Sequence, residues 1–288
     1  MSAAAVRNCD RRHGALPSAP TGGARPHGIR RGALLSQDLI DAVRIAGPHD
    51  IRRAAEALHT IATGFGFRAA PAHDIADKRT PVDAEGNLLA RDVFGWTGED
   101  RVWWRNSRIA LDSPMTTACR FESEPFWVNA QGFHTLQPNP YLASIDLANF
   151  EARAMTRAAI CVPVHLPFGQ IGAVSYNPLD RTHVDLADDF ARLGDALGVY
   201  SRTFIATYVH AMGSAQALPP ESRLSKREVE CLRWAAIGKT DLEISMIMSR
   251  SRATVRFHIH NASMKLNAVN RSQTVFKAAQ LGYISLNT

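Results

Sequence analysis

The sequence predicts an α+β fold in two parts: an N-terminal α/β/α sandwich built on an antiparallel sheet, joined to a C-terminal four-helix unit that contains a helix-turn-helix. Three observations carry this. Residues 223–288 hold four helix-period segments with cap and glycine boundaries. Upstream, two strand-like runs, Ala158–His165 and Ile171–Tyr176, flank the hairpin turn Pro167-Phe168-Gly169, with helical patterns on either side. Charge separates the parts. Residues 1–33 carry six arginines against Asp10, residues 34–222 carry more acids than bases, and residues 223–288 carry eleven basic residues against four acids, within a total of +6. A basic end on an acidic middle fits a polyanion-binding module attached to one whose partner is something else.

The C-terminal segment is the most informative. Ser225-Lys-Arg-Glu228 is a capping box, opening a helix with Val229, Leu232 and Ala236 on one face and ending near Gly238. A short helix follows, whose Leu242, Ile244, Ile247 and Met248 are expected to form one apolar stripe. After a polar turn, Val255, Ile259, Ala262 and Leu266 recur at helical spacing and share a buried face. That periodicity turns Arg252, Arg256, Phe257 and His260 outward, with Lys265 near the helix end. Asn270 to Gln273 reads as a second capping box, before a last helix with Val275, Ala278 and Ala279, stopped by Gly282. No Asp or Glu occurs between Ile244 and Thr288. A short helix, a turn and a longer basic helix free of acids is the pattern that inserts into the major groove of double-stranded DNA.

Length and composition bound the rest. At 288 residues and 45% hydrophobic side chains, two domains and a real core are expected. No apolar run approaches the roughly 18 residues of a membrane-spanning helix, so no membrane partner is expected. The scattered Cys9, Cys119, Cys161 and Cys231 form no CxxC pair. They read as reduced thiols of a cytoplasmic protein or as small core residues, not as a disulfide framework or zinc site. No GxSxG elbow, P-loop, HExxH or post-strand GxGxxG is present. His258 and His260, two apart on a helix, point away from each other and make a poor metal pair. No catalytic residue, metal or cofactor is therefore expected. Nor do residues 40–212 show the parallel βα pattern of a phosphorylated receiver.

Residues 1–33, rich in Ala, Arg, Gly and Pro, read as a disordered basic tail without the apolar core of a secretory signal. Residues 34–212 read as the sandwich. In it a helix runs from Ser36 to about Ile45, and Asp50 caps a second over Ile51–Thr63. Phe65, Phe67 and Ala69 alternate as a strand, and residues 71–92 are a long polar loop. A helix is expected near Tyr141–Met155, and a long one from Leu186 to Met212. Four of the five tryptophans lie between 96 and 127. Clustered aromatics are ordinarily core, but beside a carboxylate they also line ligand pockets. Residues 213–222, with Pro219-Pro220, read as a linker and 223–288 as the helix-turn-helix domain.

From Leu224 to Ile284 the chain resembles the DNA-binding domain of LuxR-type regulators, with matches that include Glu228, Gly238, Glu243, Thr254, Val255, His258, Lys265 and Gly282. The resemblance implies that Thr254, His258 and Lys265 hold phosphates while Arg256, Phe257 and His260 face base edges. Residues of about 40–212 resemble the same family's autoinducer-binding domain. There the family has a pocket Asp and, fifteen residues later, a packing Trp; Asp112 and Trp127 fit that spacing. Ser175 falls where a Ser or Thr contacts the acyl carbonyl. The match departs from the pattern in four places: Asp112-Ser113-Pro114 replaces Asp-Pro, Trp103 stands where a Tyr is usual, Ala159 replaces a Gly, and Glu99 occupies the place of the indole that bonds the lactone carbonyl, with Trp96 one turn earlier as its substitute. The resemblance implies a homodimer on a palindromic operator, responding through Trp96, Trp103, Asp112, Trp127 and Ser175 to an acyl-homoserine lactone or a related small signal. The alternative is a regulator whose middle part mainly dimerises.

Overall fold

The computed structural model describes residues 34–76, 80–97, 112–213 and 223–285. The expectations for residues 1–33, Glu99, Trp103 and most of the linker lie outside those ranges. Helix α1 (Gln37–Val43) starts where the Ser36 hydroxyl accepts from the Leu39 amide. Helix α2 (Ile51–Gly64) follows a short 3-10 turn at Pro48–Asp50. Asp50 does not cap it: the carboxylate accepts from the Ala46 amide instead, at 3.3 Å. Gly66, at φ 86°, makes the left-handed turn into β1 (Phe67–Ala72).

The described residues of 71–92 are more ordered than an irregular polar loop. β1 extends through Ala72, and α3 spans Leu89–Asp92. Between them the Asp83 carboxylate is buried, accepting from the amides of Glu85 and Asn87, the Asn87 side chain and Arg52. Burial raises this carboxyl, but those four donors outweigh it and hold it below its usual value. The Val82 amide donates to the Tyr208 hydroxyl at 2.9 Å, which straps the segment to the long C-terminal helix of this part.

Helix α4 (Pro114–Ala118) leads to a hairpin, β2 (Phe126–Asn129) and β3 (Gly132–Thr135), that the sequence pattern did not show. In place of one helix over 141–155, a 3-10 turn at Leu142–Ser144 precedes a single turn, α5 (Phe150–Ala154). Asn149 and Met155, both at positive φ, bound that turn on either side. The expected hairpin follows as β4 (Ala158–His165) and β5 (Ile171–Pro178), then α6 (Ala187–Ala211). The sheet is antiparallel throughout, in the order β1-β5-β4-β2-β3.

Alternation along each strand gives the sheet two apolar faces. Phe67, Ala69, Ile160, Val162, Val174 and Tyr176 pack with α1, α2 and α6 in one cluster. Phe126, Val128, Ala159 and Cys161 pack with Ala118, Phe150 and Ala154 in the other. The layers are thus α/β/α, as expected. The Tyr176 hydroxyl shares a 2.8 Å hydrogen bond with Ser201, fixing α6 to the first face.

Four helices complete the description: α7 (Lys226–Ala236), α8 (Asp241–Ile247), α9 (Arg252–Lys265) and α10 (Arg271–Gln280). The Ser225–Glu228 capping box is present, and Thr240–Glu243 forms another. Asn270 caps α10, but Gln273 reaches back to the Val269 amide at 2.7 Å, one residue short of a reciprocal box. The apolar stripe of α8 also differs. Ile244 is buried, whereas Leu242 and Ile247 are 55% and 45% exposed. With only seven residues, α8 offers the core one narrow edge, taken by Ile244, Ser245 and the half-buried Met248. None of the helices is long and apolar enough to cross a membrane among the described residues.

Candidate functional site

The second face of the sheet carries a cavity, and its floor explains why. Successive residues of β1 on that face are Ala72, Ala70 and Arg68, and their partners on β5 are Ala173, Ser175 and Asn177. Small side chains leave space where larger ones would fill the layer. The cavity is about 100 Å³, walled by Thr80, Pro81, Trp96, Ser113, Met115, Thr116 and Cys119 among others. The Cys119 thiol is buried and pushed up to about 12 by desolvation, so it is a neutral wall. Cys161, beside it, is raised well above its ordinary value by burial and by Cys119.

Polar atoms converge on this apolar space. Ser175 Oγ accepts from Asn177 Nδ2 at 3.0 Å. Thr80 Oγ1 is buried yet has no hydrogen-bond partner among the described residues. A buried hydroxyl without a partner costs on the order of 1–3 kcal/mol, which a bound acceptor would remove. Asp83 and Tyr208, which pin the segment after Thr80, hold it in place. Asp74 and Arg153 also reach the cavity. Asp74 is engaged with the Ala76 amide, and Arg153 donates to the carbonyls of Asp112, Asp146 and Ala148 and to the Asp146 carboxylate.

Of the expected ligand residues, Trp96 and Ser175 line this cavity. Trp96 Nε1 is not available to a lactone carbonyl, because it donates to Ala69 O at 2.8 Å. Asp112 is exposed and is absent from the wall. The serine between it and Pro114 is the reason: Ser113 caps α4, accepting from Thr116 N, and itself takes the cavity-facing place. Trp127 is buried but points to the other face. Its register partner on β4 is Ile160, so strand alternation directs it toward the α6 side while Phe126 and Val128 face the cavity layer. There its ring stacks on His134 at 3.7 Å. Trp103 lies outside the described residues. The sequence reading missed Thr80, Ser113 and Thr116. Only Ser113 carried a signal, as an N-cap serine followed by proline.

The helix-turn-helix part presents the other candidate surface. Val255, Ile259, Ala262 and Leu266 are buried, as their spacing predicts. Arg252, Arg256, Phe257 and His260 are exposed on the opposite side of α9, with Thr254 and His258 half-buried beside them. Ser251 caps the helix, accepting from Thr254 N at 3.0 Å, and its hydroxyl meets Thr254 Oγ1 at 2.8 Å. Phe257 packs edge-on to His258 at 5.8 Å. Asp241 binds Arg271 and, more loosely, Arg256 at 3.4 Å. An exposed pair of that length is worth well under about 1 kcal/mol, so Arg256 can be redirected to another acceptor. Lys265 is different. Its ammonium donates to both carboxylate oxygens of the buried Glu228 at 2.9 and 2.8 Å, an internal partner that the expected phosphate role did not anticipate.

The four short helices, with a capped and outward-facing basic third helix, define a helix-turn-helix protein. Residues 222–278 match the family model "Bacterial regulatory proteins, luxR family". The chain is 34% identical over 133 residues to the transcriptional activator protein VanR of Vibrio anguillarum, covering 45% of this chain and 52% of that protein. It is 36% identical over 144 residues to the HTH-type quorum sensing-dependent transcriptional regulator RpaR of Rhodopseudomonas palustris, covering 46% and 54%. It thus spans about half the length of these curated relatives. The crystal structure of Escherichia coli SdiA aligns over 82% of this chain and 95% of its own, at 22% identity and a TM-score of 0.43.

Proposed function

We propose that the protein is a cytoplasmic, ligand-responsive transcriptional regulator: residues 34–212 bind a small signal, residues 213–222 link, and residues 223–288 bind double-stranded DNA. The observation that carries this reading is the outward face of α9, where Arg252, Arg256, Phe257 and His260 stand exposed on a helix without acids. Arg256 has the length and fork to bond guanine O6 and N7, and Phe257 the apolar edge to meet a thymine methyl. Thr254, His258 and the α9 N-terminus flank them as phosphate contacts. Two copies would engage a palindromic operator, half a site each. No catalytic role is assigned.

Arg256→Ala is expected to weaken binding to a selected operator by about 1–3 kcal/mol and to relax preference at one base pair. Fluorescence anisotropy against a set of single-base operator variants checks this. Uniform loss across all sequences would make Arg256 a phosphate contact and move base reading elsewhere on α9.

On the sensor side the cavity, with a Thr80 hydroxyl that has no partner among the described residues, supports a small amphipathic ligand. A tight acyl-homoserine lactone at a hundredfold excess over its Kd should stabilise the protein by about 2.7 kcal/mol, a rise of several degrees in Tm. The occupied indole N–H of Trp96 and the exposure of Asp112 favour a second reading, a signal without a lactone head. The wild-type melt separates the two: a lactone shift that Asp112→Asn abolishes supports the first, and no shift with any lactone supports the second.

A further inference from the structure

The sheet floor of the cavity does not end at its apolar chamber. Along β1 it passes from Ala72 through Ala70 to Arg68, and along β5 from Ala173 through Ser175 to Asn177. At about 3.3 Å per residue, that is a run of about 13 Å from an apolar end to a cationic one. The cationic end opens into a second cavity of about 180 Å³, which shares Trp96, Met155 and Asn177 with the first. Arg68, Arg157, Arg181 and His183 line it, and among the described residues no Asp or Glu does.

The charges there are incompletely balanced. Arg157 and Arg181 share one carboxylate, Glu151, at 3.7 and 3.2 Å. His183 is held by Asp189 at 2.7 Å. Arg68 has no carboxylate partner among the described residues. Its guanidinium lies 5.3 Å over the ring of Trp96, which the bond to Ala69 O holds still between the two chambers. A guanidinium set over a ring, with no carboxylate partner among the described residues, is suited to a ligand carboxylate.

We infer that the two cavities form one site for an amphiphile with an anionic carboxylate end, its apolar body over Ala70 and Ala173 and its carboxylate beside Arg68 and Arg157. The inference rests on the reading of the first cavity as the signal site. The ligand's charge, not only its chain, then sets specificity.

The test uses a pair with the same acyl chain and different heads: N-decanoyl-homoserine lactone, with a neutral ring, and its hydrolysed form, N-decanoyl-homoserine, with a carboxylate and a hydroxyl in its place. Calorimetric titration of the full-length protein is expected to show the ring-opened form binding at least tenfold more tightly, with the difference shrinking as salt rises. Arg68→Gln should remove the preference while lactone binding persists. Arg157→Gln, at a half-exposed position where folding is not at risk, should remove part of it. Ala70→Leu, which fills the apolar chamber, should abolish binding of both forms. Equal affinities, a tighter lactone, or an Arg157→Gln variant that weakens both forms alike would overturn the charge inference and leave the signal-site reading standing. If neither form binds the wild-type protein, that reading fails and this inference fails with it.

Discussion

Replacing Glu228 with alanine is expected to destabilise the helix-turn-helix part by about 3 kcal/mol, the low end of what removing one partner from a buried ion pair costs. Glu228 is 3% exposed and does two jobs at once. One carboxylate oxygen closes the Ser225 cap at 2.7 Å, and both oxygens receive the Lys265 ammonium. Alanine leaves the Ser225 amide and Lys265 without those acceptors, while the one-third exposure of Lys265 lets water relieve part of the loss. A double-mutant cycle with Lys265→Met should return a coupling energy of roughly 1–2 kcal/mol. A coupling near zero would free Lys265 for the phosphate contact implied by its position, and the salt slope of DNA binding would then fall by about one in Lys265→Met.

The same pair sets a pH dependence. Burial raises the Glu228 carboxyl, but the Lys265 and Ser225 hydrogen bonds outweigh it and hold it below the ordinary carboxylate value. A carboxyl depressed in the folded state contributes stability that is complete above its unfolded value, about 4.3, and is lost as pH falls through the folded value. Melting between neutral pH and pH 3 should show that loss in the wild type and a shallower one in Glu228→Gln.

What could be read from the sequence follows how local each signal is. The buried stripe of α9 and the Ser225 cap depend on residues three and four apart, and both stand where spacing puts them. The stripe of α8 did not, because a helix of seven residues is barely two turns, too short for its periodicity to fix which side faces inward. In the sandwich the β4–β5 hairpin was legible from two long apolar runs and a turn. The β2–β3 hairpin was not, since Phe126–Asn129 and Gly132–Thr135 are four residues each, and β2 pairs with the distant β4 while β3 pairs with β2. The cavity shows the same limit. Asp112 and Trp127 have the separation the family resemblance asks for. Separation along the chain does not say which face of β2 carries the ring, or that Ser113 takes the cap and leaves Asp112 outside. The hydroxyl that most needs a ligand, Thr80, is placed by Asp83 and Tyr208, the latter more than a hundred residues away in sequence, and no local pattern marks it.

Gly172→Ala is expected to cost about 2 kcal/mol, from crowding and not from backbone conformation. Gly172 lies on β5 opposite Val164, next to the cavity-floor residue Ala173, and faces α6. A Cβ there would stand 2.5 Å from Ile205 Cγ2, 3.1 Å from the Ala72 carbonyl oxygen and 3.2 Å from that of His73. The first contact is with a side-chain branch, and the other two are with backbone. Ile205→Leu removes the offending γ-branch at nearly constant volume, so the double variant should recover about half of the loss. The remainder would measure how far the β1 end at Ala72 and His73 must move. That end joins the segment carrying Asp74 and Thr80, so the same displacement should weaken ligand binding even in the rescued variant. Urea unfolding of Gly172→Ala, Ile205→Leu and the pair, with ligand titration of each, separates the two effects. Full rescue of both stability and binding would show that Ile205 alone crowds the position, and that the close approach of β5 to β1 has no part in shaping the cavity.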